Sequence, residues 1–253
     1  MKIEIISCLK DNYSYLVIDE KKKNACVVDP SEAQPIINSL EKNNIQLSFI
    51  LNTHHHYDHI GGNSELKKKY NAKVVGYIDD SKKIPDIDIM VKDGEIWTEN
   101  NFKAKIIHIP GHTLGHICFH FFNEKNIFTG DTLFSLGCGK IFEGTHLQMH
   151  ESLNVFKKLP LDTKIYCGHE YTLQNSKFCL KYDPDNKNLK NKIINIKKNI
   201  KNNLPTIPSI IKDELECNIF LRSNNLAIQS NLNLNNKNSL ETFSKLRDLK
   251  DNF

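Results

Sequence analysis

The segment Thr53-His54-His55-His56-Tyr57-Asp58-His59 places five His or Asp side chains within six positions, directly after the apolar run Ser48–Leu51. Side chains two residues apart at a strand end point the same way, so His54 and His56 project together. Asp58 and His59 follow where the chain turns into Gly61-Gly62 and a predicted helix. One short loop therefore offers two separate pairs of metal ligands. Further candidates stand at the ends of other predicted strands: His112 in Pro110-Gly111-His112-Thr113, Asp131 in Thr129-Gly130-Asp131, and His169 in Cys167-Gly168-His169. Each follows an apolar run and lies beside a glycine, which lets the backbone turn closely around a site.

The ligand count decides the kind of site. Four ligands close a structural zinc, and a catalytic zinc keeps three plus an open position. Five histidines and two aspartates instead fit two ions sharing one carboxylate, which offsets the repulsion of dications roughly 3.5–4 Å apart. Nitrogen and oxygen ligands suit zinc and also accept iron or manganese. Two cations lower the pKa of a shared water to about 7 or below, from about 15.7 in bulk, so hydroxide forms at neutral pH. Such a nucleophile attacks a carbonyl polarised by one cation, which also stabilises the oxyanion. These residues do not fix the leaving group. No dedicated general acid is evident, and a thiol, with a pKa of about 8.5, can depart without one.

Positioning these side chains requires strands and helices in alternation. Apolar or alternating runs predict strands at Lys2–Cys8, Tyr13–Ile18, Ala25–Val28, Ser48–Asn52, Lys73–Tyr77, Lys103–Ile109, Ile117–Phe122, Asn126–Phe128 and Lys164–Cys167. Helical spacing marks Ala33–Lys42, Ser64–Tyr70 and His146–Leu159. From Tyr171 onward the strand signals fade, and helices are predicted at Leu173–Tyr182, Asn186–Asn202, Ile207–Glu216 and Ser239–Leu249. The expected organisation is an α/β catalytic domain over residues 1–172 and a helical domain over 173–253. Lys187–Lys201 reads as a lysine-coated amphipathic helix on Leu189, Ile193, Ile194, Ile196 and Ile200, in preference to an RNA-binding arm. Tyr77 and Trp97 fit either a core or an interface.

Composition narrows the classes further. The 253 residues are 39% hydrophobic and 25% charged, as in a soluble globular protein. No stretch approaches the roughly 18 consecutive apolar residues of a membrane span. Met1-Lys2-Ile3-Glu4 begins at once as a strand, and the expected location is the cytoplasm. Seven scattered cysteines without a Cys-x-x-Cys pair argue against a disulfide framework or a zinc knuckle. The net charge of +4 is too mild to mark a nucleic-acid binder. Arginine occurs only at Arg222 and Arg247, against a background of lysine.

The His-x-His-x-Asp-His motif with its later His, Asp and His resembles the metallo-β-lactamase superfamily. Within it the chain is similar to the glyoxalase II family of hydroxyacylglutathione hydrolases. The resemblance runs nearly end to end, through Asp11–Tyr15, Thr53–Gly62, Pro110–His116, Thr129–Asp131, Gly137–Lys140, Gly168–Tyr171 and Arg247-Asp248-Leu249-Lys250. It implies a four-layer αβ/βα sandwich followed by a helical domain. It assigns His54, His56 and His112 to a first metal, Asp58, His59 and His169 to a second, and Asp131 to the bridge. Asp58 and Asp131 thereby share in catalysis with a metal-bridging hydroxide, and zinc is the expected metal. Lys140, Tyr171, Arg247 and Lys250 match glutathione-binding positions, while Phe142 stands where family members commonly carry tyrosine. Arg247 and Lys250, one helical turn apart, are expected to clamp the glycine carboxylate. Arg222 is expected to make a structural contact. His55, His108, His116, His120, His146 and His150 are expected to pack or to support ligands.

The implied activity is hydrolysis of S-D-lactoylglutathione to glutathione and D-lactate, the second step of methylglyoxal detoxification. A glutathione persulfide dioxygenase with a single iron shares similar motifs and is the enzymatic alternative. An RNA-processing or RNA-binding protein of the same fold is the alternative from another class. The expected partner is the thioester alone, with no nucleic acid, no membrane and a monomeric chain.

Overall fold

Alternating and continuous apolar runs explain most of the strands in the computed structural model, which describes residues 1–234 and 237–253. The chain forms two compact units, Met1–His108 with Gly115–Gly130, and Ile109–Leu114 with Asp131–Phe253. The first unit opens with β1 (Lys2–Cys8), β2 (Asn12–Asp19), β3 (Asn24–Val28), α1 (Ala33–Asn43) and β4 (Gln46–Leu51). It continues through α2 (Tyr57–Ile60), α3 (Asn63–Tyr70), β5 (Lys73–Tyr77) and β6 (Ile87–Val91). Strands β1 to β6 form one sheet in chain order, antiparallel from β1 to β3 and parallel from β3 to β6.

Helix α1 buries Ala33, Ile36, Ile37 and Leu40, and closes on Asn44 in the left-handed conformation. These side chains pack with Leu16, Ile18, Ile50 and Leu66 on one face of the sheet. The other face meets the strands β7 (Ile96–Glu99), β8 (Phe102–His108), β9 (Ile117–Phe121) and β10 (Asn126–Gly130), which pair antiparallel. Aromatic rings fill that layer: Phe49 lies 5.2 Å edge-on to Trp97, and Tyr15 lies 5.3 Å from Phe128. Trp97 and Tyr77 are therefore core residues, Tyr77 stacking on His108 at 4.7 Å.

The second unit contains β11 (Leu133–Phe134), β12 (Gly137–Cys138), α4 (His146–Phe156), β13 (Lys164–Cys167), α5 (Thr172–Tyr182) and α6 (Lys187–Lys201). After them come β14 (Ser209–Ile210), α7 (Ile211–Cys217), α8 (Leu226–Asn231) and α9 (Ser239–Asp251). Capping boxes start α4 at Thr145/Gln148 and α9 at Asn238/Glu241. The expected helix from Ile207 begins only at Ile211, because Ser209-Ile210 pair with β13. A residue before proline is in any case biased away from helical dihedrals. On α6 only Leu189 and Ile196 are buried, while Ile194 is 65% exposed. Lys192, on the same helix, pairs with the fully buried Glu214 at 2.9 Å.

The expected α/β class and the helical C-terminal region are both present. All seven cysteines are buried and free. Burial pushes the thiols of Cys167, Cys179 and Cys217 up to about 12, and raises those of Cys8, Cys26, Cys118 and Cys138. Among the described residues no helix is long and apolar enough to cross a membrane.

Candidate metal centre and anion cavity

In the first unit β4 lies between parallel neighbours β3 and β5, and its carboxyl end delivers the histidine loop. This is where open α/β sheets place ligands. His54 stands 4.8 Å from His56 and 4.2 Å from His59, ring centre to ring centre. His59 Nε2 lies 3.6 Å from Asp58 Oδ2. Asn12, at the start of β2, holds Asp58 by donating to its Oδ2 (2.9 Å) and its backbone oxygen (3.1 Å).

Asp29 organises this loop from the end of β3. Its carboxylate accepts from Thr53 N–H at 2.8 Å, Thr53 Oγ1 at 2.6 Å and His59 Nδ1 at 3.0 Å. Because the Thr53 hydroxyl donates to Asp29, it can only accept from His54 Nδ1 at 3.0 Å. Gly130 permits this packing with φ of +46°, since a Cβ there would sit 2.4 Å from Thr53 Oγ1.

The second unit brings His112, Asp131 and His169 together. Asp131 Oδ2 lies 3.2 Å from His169 Nε2 and 3.6 Å from His112 Nε2. His112 Nδ1 donates to the Lys140 carbonyl at 2.8 Å. The His169 ring stacks on Tyr171 at 4.7 Å.

These donors fit divalent metal ions. The Nδ1 atoms of His54, His59 and His112 each face an oxygen that accepts a proton, so Nε2 carries the lone pair on all three. Such outer contacts fix the tautomer and the ring orientation of metal-binding histidines. Replacing Asp29 by alanine is therefore expected to lower metal affinity by about 10- to 100-fold. Competition with a chromophoric chelator measures this, and unchanged affinity would refute the role given to Asp29.

The remaining histidines have other partners. His55 pairs with buried Asp80 at 3.0 Å, and His116 stacks on His54 at 4.6 Å. His146 meets Asp248 at 3.0 Å, and His150 meets Ser239 at 2.9 Å. His108 lies on Tyr77, and burial lowers the pKa of His120.

A cavity of about 250 Å³ in the second unit is lined by Phe134, Cys138, Lys140, Tyr171, Gln174, Asn175, Arg247, Lys250 and Asp251. Four of the five expected substrate-binding residues thus meet around one space. Phe142 does not line it: the ring is 62% exposed, 5.3 Å from His112, with Lys140 Nζ 5.7 Å above its face. Three cations face one carboxylate in this cavity, which suits an anionic ligand. Burial and the neighbouring Arg247 charge lower the pKa of Lys250, and an anion beside it would favour its charged form.

Arg247, expected to clamp a carboxylate, lines this cavity and also contacts the protein. It is 4% exposed and donates through Nη1 to the carbonyls of Cys138 (2.7 Å) and Gly139 (3.3 Å). Its Nε and Nη2 donate to Asp251 at 3.1 and 2.8 Å. Each of its three nitrogens thereby has a protein acceptor. Arg222 makes the expected structural contact, an ion pair with Asp183.

Sequence reasoning passed over Asp29, Gln174 and Asn175, and quoted Asn12 within a family motif without giving it a role. Asp29 carried a usable signal, because it ends the apolar run Ala25–Val28 just as the metal ligands end theirs.

Residues 10–169 match the family described as metallo-beta-lactamase superfamily, and this is the class that the fold and the His/Asp motif define. Residues 170–253 match the hydroxyacylglutathione hydrolase C-terminus. The chain belongs to the hydroxyacylglutathione hydrolase family. A hydroxyacylglutathione hydrolase of Pelagibacter ubique is 64% identical over 100% of both chains. One from a Bradyrhizobium species is 42% identical over 98% of both. The crystal structure of ETHE1 from Myxococcus xanthus shares the fold, with a TM-score of 0.69 at 21% identity, covering 98% of this chain and 91% of that one.

Proposed function

We propose that the chain hydrolyses 2-hydroxyacylglutathione thioesters, S-D-lactoylglutathione foremost, releasing glutathione and D-lactate in the second step of methylglyoxal detoxification. The observation that carries this reading is the cationic cavity on which Lys140, Tyr171 and Lys250 converge. Full-length similarity to hydroxyacylglutathione hydrolases supports it. In the family's assignment, His54, His56 and His112 serve one zinc ion and Asp58, His59 and His169 a second, with Asp131 shared. Two such ions supply a water-derived nucleophile at neutral pH and polarise the thioester carbonyl.

The chain's own residues do the rest. Thr53, Asp29 and the Lys140 carbonyl keep three imidazoles in one tautomer, and Asn12 holds the Asp58 carboxylate. The cations of the cavity bind the peptide's carboxylates and orient the ester. Glutathione leaves as a thiolate, which needs no strong acid because thiol pKa values are about 8.5. Residues 1–172 form the catalytic part in this reading and 173–253 the glutathione-binding part. In this reading the working unit is a cytoplasmic monomer without nucleic-acid or membrane partners.

The test is loss of the thioester when zinc-reconstituted protein meets S-D-lactoylglutathione. Hydrolysis that disappears on chelation and returns with zinc is expected. No turnover by protein carrying two zinc ions would refute the reading. A companion expectation concerns the departure at position 142. Phe142→Tyr should lower KM by about 2- to 10-fold, the worth of one net hydrogen bond. Steady-state kinetics check this, and an unaltered KM would show that the added hydroxyl does not reach the substrate.

A further inference from the structure

Between the end of β4 and the start of α2, residues 52–56 belong to no strand or helix, yet this stretch carries His54 and His56. Its flanking strands hold it from both sides. Asp29 follows β3 and accepts from Thr53 and His59. On the other side β5 runs parallel to β4 and passes into a single 3-10 turn, Ile78–Asp80. Asp80 closes that turn at 1% exposure, and its Oδ2 accepts from His55 Nδ1 at 3.0 Å.

His55 is the middle of the stretch, with an expected ligand on each side. Neighbouring side chains on extended backbone point opposite ways. With His55 drawn to Asp80, His54 and His56 are turned together to the other side, their rings 4.8 Å apart. One tether therefore sets the direction of two imidazoles.

The Asp80 carboxylate has a second close neighbour. A Cβ at Gly115 would lie 2.2 Å from Asp80 Cγ, so glycine is what lets the backbone pass there. His116, the next residue, lies flat on His54, with 4.6 Å between ring centres and 16° between planes. Ile117 N–H then donates to the Thr53 carbonyl at 2.9 Å. Asp80 is thus wedged between His55 and the segment that backs His54.

We propose that Asp80 is a positioning residue for the histidine loop, acting through His55 to aim His54 and His56 at the metal. This role rests on the metal assignment in the proposed function and is independent of the substrate.

Zinc affinity of the folded protein, read by competition with a chromophoric chelator, tests it. Asp80→Ala and His55→Ala should each weaken zinc binding by about 10- to 100-fold, the worth of one hydrogen bond to a charged group. Asp80→Asn keeps an acceptor in the same space and should lose less. The double variant should bind zinc as His55→Ala does, because the carboxylate acts through that ring. A lower melting temperature with unchanged zinc affinity would mark a purely structural ion pair and overturn the proposal. Losses that add in the double variant would overturn it as well.

If Asp80→Ala does not fold, His55→Ala decides by the same readout, and wild-type affinity there overturns the role. Wild-type protein that binds no zinc would remove the metal assignment and this role together. Zinc-loaded wild type that cleaves no thioester would sink the substrate reading alone, and the zinc affinities of the variants would still decide.

Discussion

Asp131→Asn is expected to reduce thioester hydrolysis by at least about 1,000-fold, because in the proposed function its carboxylate holds both cations, whose charge stabilisation is worth several kcal/mol at about 1.4 kcal/mol per decade of rate. The substitution keeps the shape of the side chain and removes only its charge. Asp131 Oδ2 stands within 3.6 Å of both His112 Nε2 and His169 Nε2, so one oxygen serves two imidazoles that the family assigns to different ions. Elemental analysis should therefore show metal content falling together with turnover. Thermal unfolding of the metal-free protein should stay close to wild type, since Asn fits the same space. Wild-type turnover in the variant would remove Asp131 from the reaction.

The second large effect concerns stability. Glu214→Gln should cost about 3 kcal/mol, the lower end of what breaking a buried ion pair costs, because Lys192 would remain in the interior without its main counterion. Asp213, 3.4 Å from the ammonium and partly exposed, softens the loss. Burial alone would raise the Glu214 pKa, but Lys192 and donors from Ser209 and Leu136 hold it below its ordinary 4.5. Burial likewise opposes charge on Lys192, yet Glu214 and Asp213 keep its pKa above the ordinary 10.5.

The signs of these shifts set the pH window. Glu214 contributes stability above pH 4.5 that is lost as pH falls through its lower folded value. Lys192 contributes fully below pH 10.5 and loses that share as pH rises past its higher folded value. The difference between wild type and variant in urea midpoint should be flat between these limits and shrink in acid. Glu214→Leu with Lys192→Met should recover most of the loss, as an apolar pair needs no counterion. A single variant as stable as wild type would show that the pair is not coupled.

How much of this was legible depends on where a residue's partner lies. The metal ligands announce themselves because each His or Asp ends an apolar run beside a turn. Lys140, Tyr171 and Lys250 were legible through family motifs, and the cavity gathers them. Arg247 was singled out for its rarity, but its contacts to the protein were not foreseen. Its partners are backbone carbonyls about 108 residues away in sequence, and backbone atoms carry no signature in a sequence.

Strands β6 and β7 escaped notice because Asp88 and Glu99 interrupt short runs. Asp88 belongs there because it accepts from Val74 N–H at 2.8 Å and pairs with Lys67 at 2.7 Å. The start of α7 was misplaced because periodicity continues through Pro208 where the backbone does not.

The seven buried thiols bear on a hazard peculiar to thioester chemistry. An activated acyl group passes readily to any accessible thiolate, and oxidised glutathione forms mixed disulfides with the same species. Cys138 faces the cavity that would hold the tripeptide, yet burial keeps its sulfur protonated at neutral pH. The other six are shielded in the same way. Self-acylation and capping by the released product therefore find no nucleophile among the chain's sulfurs, and water is left as the acyl acceptor.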